Sequence, residues 1–218
     1  MCQPIPPPAS GKDEYYIYSR EVTAFIDHVN AVRSREQNGN AIVATIEPAF
    51  KRLLETPGWL PENFRQPREG SGMGSGIGMW LLYRSGDGGL AFSSLVVPAG
   101  ASTPVHDHLA WGIVGLYQGE QDETVFTRKD DGSEETRASL DVMVSRSLKP
   151  GDMYELLPET DIHEVTTTSE VTSVSLHLLG NDNGCIWRHQ FIPEENLVKP
   201  FKSGWLNVPC REEDQAGD

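Results

Sequence analysis

At 218 residues the chain is long enough to bury a sizeable core as one large domain. It carries 18 Lys and Arg against 32 Asp and Glu, a net charge of −14, and a field of that sign argues against phosphate backbones and anionic lipid as partners. No apolar run approaches the roughly 20 residues of a membrane span, the opening MCQPIPPPASGKDEYY lacks the pattern of a secretory leader, and Cys2, Cys185 and Cys210, scattered and without CxxC spacing, predict a reducing cytoplasm and no disulfide framework.

Residues 1–17 read as a flexible arm, Pro-rich over the first twelve positions. From Tyr18 to about Arg35 the apolar residues Val22, Phe25, Ile26, Val29 and Val32 fall on one helical stripe, with Ser19 as a cap-like residue before them. A second helix is expected over Ala41 to Glu55, its apolar side made by Ile42, Val43, Ile46, Phe50, Leu53 and Leu54, with Pro48 as a candidate kink. TPGWLPENFRQP then breaks regular structure. The glycine-dense EGSGMGSGIG lacks a following Lys-Ser/Thr and a strand-to-helix setting, so it reads as a flexible loop and not as a phosphate cradle. These stretches together make a helical annex with a glycine-rich loop, residues 18–78.

From Met79 the periodicity changes. MWLLYRS-GDGG-LAFSSLVVP is a hairpin signal. Short strands are expected to follow over 103–108, 111–117, 122–127, 141–147, 153–157, 162–167, 171–179 and 185–191, separated by turn clusters such as RKDDGSEE and KPGD. Many short strands without intervening helices predict an antiparallel sandwich or barrel over 79–192, with residues 193–218 as a coil tail that packs along it.

His106 and His108 stand one residue apart in a run read as strand, so both side chains project to one face and two imidazoles can converge on one cation. A third ligand would come from a neighbouring strand, with His28, His163, His177 and His189 as candidates. His28 lies in the amphipathic helix and is set aside. Such a histidine set suits Zn, Mn, Ni or Fe equally well.

The spacing resembles the cupin motifs. Residues 100–119 fit G-x5-H-x-H-x3-E-x6-G with Gly100, His106, His108 and Gly119 in register, while the glutamate position holds Gly112. Residues 151–167 resemble the second motif, with Gly151, Pro158 and His163 in place, one extra residue before the proline, and Thr160 and Thr167 where Gly and Asn are usual. The resemblance implies a mainly β fold, a double-stranded β-helix or jelly-roll barrel with N-terminal α-helices, and names His163 as the third ligand. Loss of the glutamate leaves three histidines, which within cupins resembles the thiol dioxygenases of the cysteine dioxygenase type. HDHLAWG and the stretch from Ile162 to Gly180 look like their bacterial members.

That family implies Fe(II), O2 and a small thiol carboxylate such as cysteine, 3-mercaptopropionate or mercaptosuccinate, converted to a sulfinate. Three neutral imidazoles leave a ferrous ion its full charge and open positions for an anionic thiolate, so absence of the carboxylate makes electrostatic sense. The family's Ser-x-His-x-Tyr strand is matched by Ser175 and His177, expected to act beside the metal, whereas Leu179 replaces the tyrosine. Tyr83, Tyr117 and Tyr154 are candidate substitutes for that hydroxyl. Arg84 is the expected grip on the substrate carboxylate, since a planar guanidinium binds carboxylate through two parallel bonds, and Arg188 is its rival. Asp107 is expected to face away from the metal, Trp111 to pack in the core, and Cys185 to be a buried small residue. Alternatives are a Zn or Mn isomerase or hydrolase cupin, suggested by Leu179, and a non-catalytic small-molecule-binding cupin.

Overall fold

The computed structural model describes residues 9–211. Helix α1 (Arg20–Arg33) starts where Ser19 accepts the Val22 amide at 3.2 Å, satisfying one of the amides that a helix start leaves without a partner. Helix α2 (Gly39–Glu55) is capped in the same way by Asn38 and begins two residues before its apolar pattern does. Pro48 lies inside α2 without ending it. The buried faces are Val22, Phe25, Ile26 and Val29 of α1 and the six apolar residues expected of α2.

The described residues contain twelve strands: β1 (Glu14–Tyr15), β2 (Gly78–Arg84), β3 (Ala91–Val97), β4 (Val105–His106), β5 (Gly112–Gln118), β6 (Gln121–Arg128), β7 (Leu140–Leu148), β8 (Met153–Leu156), β9 (Ile162–Thr167), β10 (Ser173–Leu179), β11 (Arg188–Ile192) and β12 (Leu197–Phe201). They form two six-stranded antiparallel sheets, ordered β1-β2-β3-β10-β5-β8 and β12-β11-β4-β9-β6-β7. Within them β3-β10-β5-β8 faces β4-β9-β6-β7, the alternate interleaving of strands that defines a jelly roll. The fold class expected from the sequence is therefore the fold observed. The two helices pack outside the first sheet, and α2 comes so close to β5 that a Cβ on Gly115 would stand 2.7 Å from both Leu54 and Phe50. The motif glycines mark turns: Gly119 has φ +76°, and a Cβ there would meet the Ser173 backbone at 2.8 Å, a position only glycine fills without strain.

Three local expectations change. The first eight residues of the arm lie outside the described residues, but Glu14 and Tyr15 pair with Arg84 and Tyr83 as a strand, because Asp13 reaches both the Tyr83 hydroxyl and the Gly86 amide. The tail is not all coil, since β12 extends the second sheet by pairing with β11. Cys185 and Cys210 form a disulfide, 25 positions apart in sequence, which corrects the reading of three unpaired thiols. No spacing rule reveals it: the partners are brought together by the strap after β12, which crosses back over the loop before β11. Among the described residues no helix is long and apolar enough to cross a membrane.

Candidate metal centre

The strand that carries His106 is only two residues long, yet it lies between two partners, pairing His106 with His163 of β9 and with Gln190 of β11. His106 and His163 therefore face the same side of one ladder. His108 lies beyond the end of β4 and reaches the same point by a different device. Its amide and that of Leu109 both donate to one carboxylate oxygen of Asp161, at 2.8 and 2.9 Å, and its carbonyl accepts from Asn181 and Asn183. Leu109 has a left-handed backbone, φ +55°, so the chain turns sharply just after the ligand. The strand alternation expected for the pair thus holds at His106, while bracing by side chains sets His108.

The three rings form a near-equilateral triangle, with centroid separations of 4.8, 4.9 and 5.0 Å. One ligand atom from each lies within 4.8 Å of the others, and all three side chains are buried. The Nδ1–H of His106 donates to the Pro104 carbonyl at 2.8 Å and that of His163 to Glu123 at 2.7 Å. In both rings the hydrogen bond fixes the tautomer and leaves Nε2 as the lone-pair donor. Burial, with Arg188 and the neighbouring imidazoles adding to it, pushes His106 and His108 well below the usual histidine range. Neutral nitrogens in that arrangement are what a divalent cation needs, and no carboxylate lines the cavity among the described residues. The set fits a metal ion held by His106, His108 and His163.

The missing fourth ligand has a structural explanation. Gly112, at the motif's glutamate position, is the register partner of Leu179, at the position where a tyrosine was expected. A Cβ on Gly112 would stand 2.4 Å from Leu179 Cδ2 and 2.8 Å from the Leu178 carbonyl. The two departures from the motifs that the sequence resembles are thus one contact, in which Leu179 occupies the space that a side chain at 112 would take.

The cavity around the triangle is lined by His177, Ser93, Asn183 and Arg188, and by an apolar wall that includes Met73, Met79, Leu95, Leu179 and Trp205. Ser175 Oγ lies 2.9 Å from His177 Nε2, and burial brings the His177 pKa down to about 3. The open volume is about 20 Å³, little more than one water needs.

Arg84, the expected carboxylate grip, does not line this cavity. It lies at the outer hairpin, 2.8 Å from Glu14 and 3.6 Å from Asp182, and donates to the Pro209 carbonyl. The bulge between Leu81 and Tyr83 resets the alternation and pairs Arg84 with Ala91, on the face of the cavity-lining Ser93 and Leu95 but at the far end of the hairpin, where Glu14 and Asp182 meet its charge. Arg188 is the guanidinium inside. It is fully buried, donates to the Asp107 carbonyl at 2.8 Å and to Ser203 at 2.9 Å, and stacks over Phe201 at 4.4 Å. Its Nε has no hydrogen-bond partner. Burial lowers its pKa, to about 10, against the pull of Asp107 and Asp161, so it stays charged at neutral pH.

Two acids that the sequence reading passed over complete the surroundings: Asp161, which braces His108, and Glu123, which bonds His163. Glu123 alternates with Gln121 and Val125 on the inward face of β6, and an acid at an inward strand position was the available signal. Of the other residues considered, Asp107 turns away from the three histidines and holds His189, Trp111 packs against Gly39 and Gly180, and His28 lies in an outer cleft between the helices. Tyr83 is engaged by Asp13 and Asn30 and Tyr117 packs on Trp59, whereas the Tyr154 ring comes within 6.2 Å of the His163 ring.

No family model matches the chain. Solved structures similar to parts of it include an oxalate oxidase, 19% identical, covering 44% of this chain and 43% of that one with a TM-score of 0.35. A cupin 2 domain-containing protein from Halorhodospira halophila is 15% identical over 52% of this chain and 58% of its own, TM-score 0.33. A cupin 2 conserved barrel domain protein from Salinispora arenicola is 16% identical over 59% of this chain and 92% of its own, TM-score 0.39. The matched region spans less than two thirds of the oxalate oxidase and of the Halorhodospira protein.

Proposed function

We propose that the protein is an iron-dependent dioxygenase of small thiol carboxylates, catalysing RSH + O2 → RSO2H. Both oxygen atoms enter the product, sulfur gives up four electrons and dioxygen accepts four, so no external reductant is needed. The observation that carries the reading is a triangle of three buried imidazoles around a cavity that no carboxylate lines among the described residues, beside a buried guanidinium that has a free N–H. Fe(II) held by His106, His108 and His163 would supply the redox chemistry that thiol and dioxygen require.

The chain's own residues account for the rest. Arg188 offers its unpaired Nε–H to the substrate carboxylate as a charge-assisted bond. The absence of a carboxylate from the lining favours a thiol acid without an ammonium group, such as 3-mercaptopropionate, over cysteine. The apolar wall of Met73, Met79, Leu95, Leu179 and Trp205 keeps water from the sulfur. His177, kept neutral by burial and anchored by Ser175, presents a polar ring to the cavity without adding charge.

The test is oxygen uptake after anaerobic reconstitution with Fe(II), measured against a panel of thiol acids and paired with metal analysis of protein purified without added metal. Thiol-dependent uptake matched by sulfinate formation supports the reading, and no uptake with any thiol overturns it. Leu179, which places a methyl group where the family has a phenol, favours one second reading: a Zn or Mn cupin isomerase or hydrolase, active without oxygen. Dominant zinc or manganese with oxygen-independent turnover would establish it. A non-catalytic binding cupin would instead keep its ligand affinity in His163→Ala.

A further inference from the structure

The three histidines are not supported alike. His106 leans on a neutral backbone carbonyl, and His108 Nδ1 makes no hydrogen bond, its nearest carboxylate oxygen being 3.9 Å away on Asp161. His163 alone donates Nδ1–H to a carboxylate, 2.7 Å from Glu123. That carboxylate is 0% exposed and comes from the middle of a core strand, where burying an acid is costly unless both oxygens are engaged. They are: the second oxygen accepts from Arg146 Nε at 2.5 Å. Arg146 lies on β7, the edge strand of its sheet, 38% exposed, with its guanidinium 4.4 Å over the ring of Tyr154. Thr or Val would serve a merely structural position in β6, so a buried acid with this connectivity needs a reason.

Resting on the reading that the histidines hold a metal, we infer that Glu123, anchored by Arg146, is a positioning residue that makes His163 the strongest donor of the three. A carboxylate on Nδ1–H locks the ring with Nε2 toward the cavity and draws the Nδ1 proton toward itself, which enriches Nε2 in electron density. The metal would then be held asymmetrically, most tightly on the β9 side. Its properties would depend on an ion pair that runs through the sheet to the edge strand.

Titration of metal-free protein with Co(II), followed by visible absorption, tests this in wild type, Glu123→Gln and Arg146→Leu. The amide keeps shape and a hydrogen bond but loses the charge, so Glu123→Gln is expected to bind about 10- to 100-fold more weakly and to shift the Co(II) bands. Arg146→Leu leaves the carboxylate in place with one partner fewer and is expected to move both readouts the same way, by less. A structural role alone would lower the melting temperature of the metal-free protein and leave affinity and bands untouched, and that result overturns the inference. If Glu123→Gln does not fold, Arg146→Leu decides, and wild-type affinity and spectrum in it overturn the proposal. A wild type that takes up neither Co(II) nor Fe(II) removes the metal reading and this inference together, a pattern distinct from unaltered binding in the variants.

Discussion

The contact between Gly112 and Leu179 makes a quantitative prediction. A Cβ on residue 112 meets two obstacles, the Leu179 methyl at 2.4 Å and the Leu178 carbonyl at 2.8 Å. The methyl belongs to a side chain that can be shortened, whereas the carbonyl is backbone in the β5–β10 ladder and cannot yield without cost. Gly112→Ala should therefore destabilise by about 1–3 kcal/mol, as overpacking does. Leu179→Ala should cost about 2–5 kcal/mol, since Leu179 is 3% exposed and its loss leaves a cavity. The double variant removes the first obstacle and fills part of the cavity. It should be more stable than the sum of the single effects predicts, with a favourable coupling of about 1–2 kcal/mol, within the range found for residues in contact. The carbonyl contact keeps the rescue from being complete. Urea denaturation of the four proteins, all metal-free, gives the cycle directly. Strict additivity would refute the argument, because it would mean that Leu179 does not fill the space at 112. If the coupling is found, Gly112→Glu with Leu179→Ala should gain a carboxylate beside the three histidines and bind Co(II) more tightly than wild type does.

Arg188→Lys keeps the charge but loses the planar fork. If Arg188 grips the substrate, KM for 3-mercaptopropionate should rise about ten- to hundredfold while a thiol without a carboxylate is unaffected, and an unchanged KM would count against the role. Reduction of the Cys185–Cys210 disulfide, or Cys210→Ser, reopens a loop of 25 positions, and chain entropy puts the loss at about 3–4 kcal/mol. A melting temperature insensitive to reductant would contradict it. Burial raises the Glu14 pKa, but Arg84, Tyr16 and Arg211 outweigh burial and bring it from 4.5 down to about 2. Its folded-state pKa is depressed, so its contribution to stability is present above pH 4.5 and is lost as pH falls toward 2. Thermal melts of wild type and Glu14→Gln should differ at pH 7 and converge at pH 2; a constant difference would show that the ion pairs with Arg84 and Arg211 do not provide it.

What was legible in the chain was whatever repeats locally. The helical stripes, the strand alternation and the turn glycines act over a few residues, and they sufficed for two helices, a sandwich or barrel, and the pair His106 and His108, while His163 was singled out only by the resemblance to the cupin motifs. Neighbour choice across the sheets was not legible, because it depends on the pairing of strands far apart in sequence. Arg84 and Arg188 are chemically identical candidates, and only the register of β2 against β1 and of β11 against β4 sends one to the outer ion pairs and the other into the cavity. Glu123 meets His163 across 40 positions, and Gly112 meets Leu179 across the β5–β10 ladder. Cys185 finds Cys210 because the strap returns after β12. Periodicity tells which face a side chain takes. Which partner waits on that face is set by tertiary pairing, since a buried charge or a filled gap is stable only against the one neighbour that completes it.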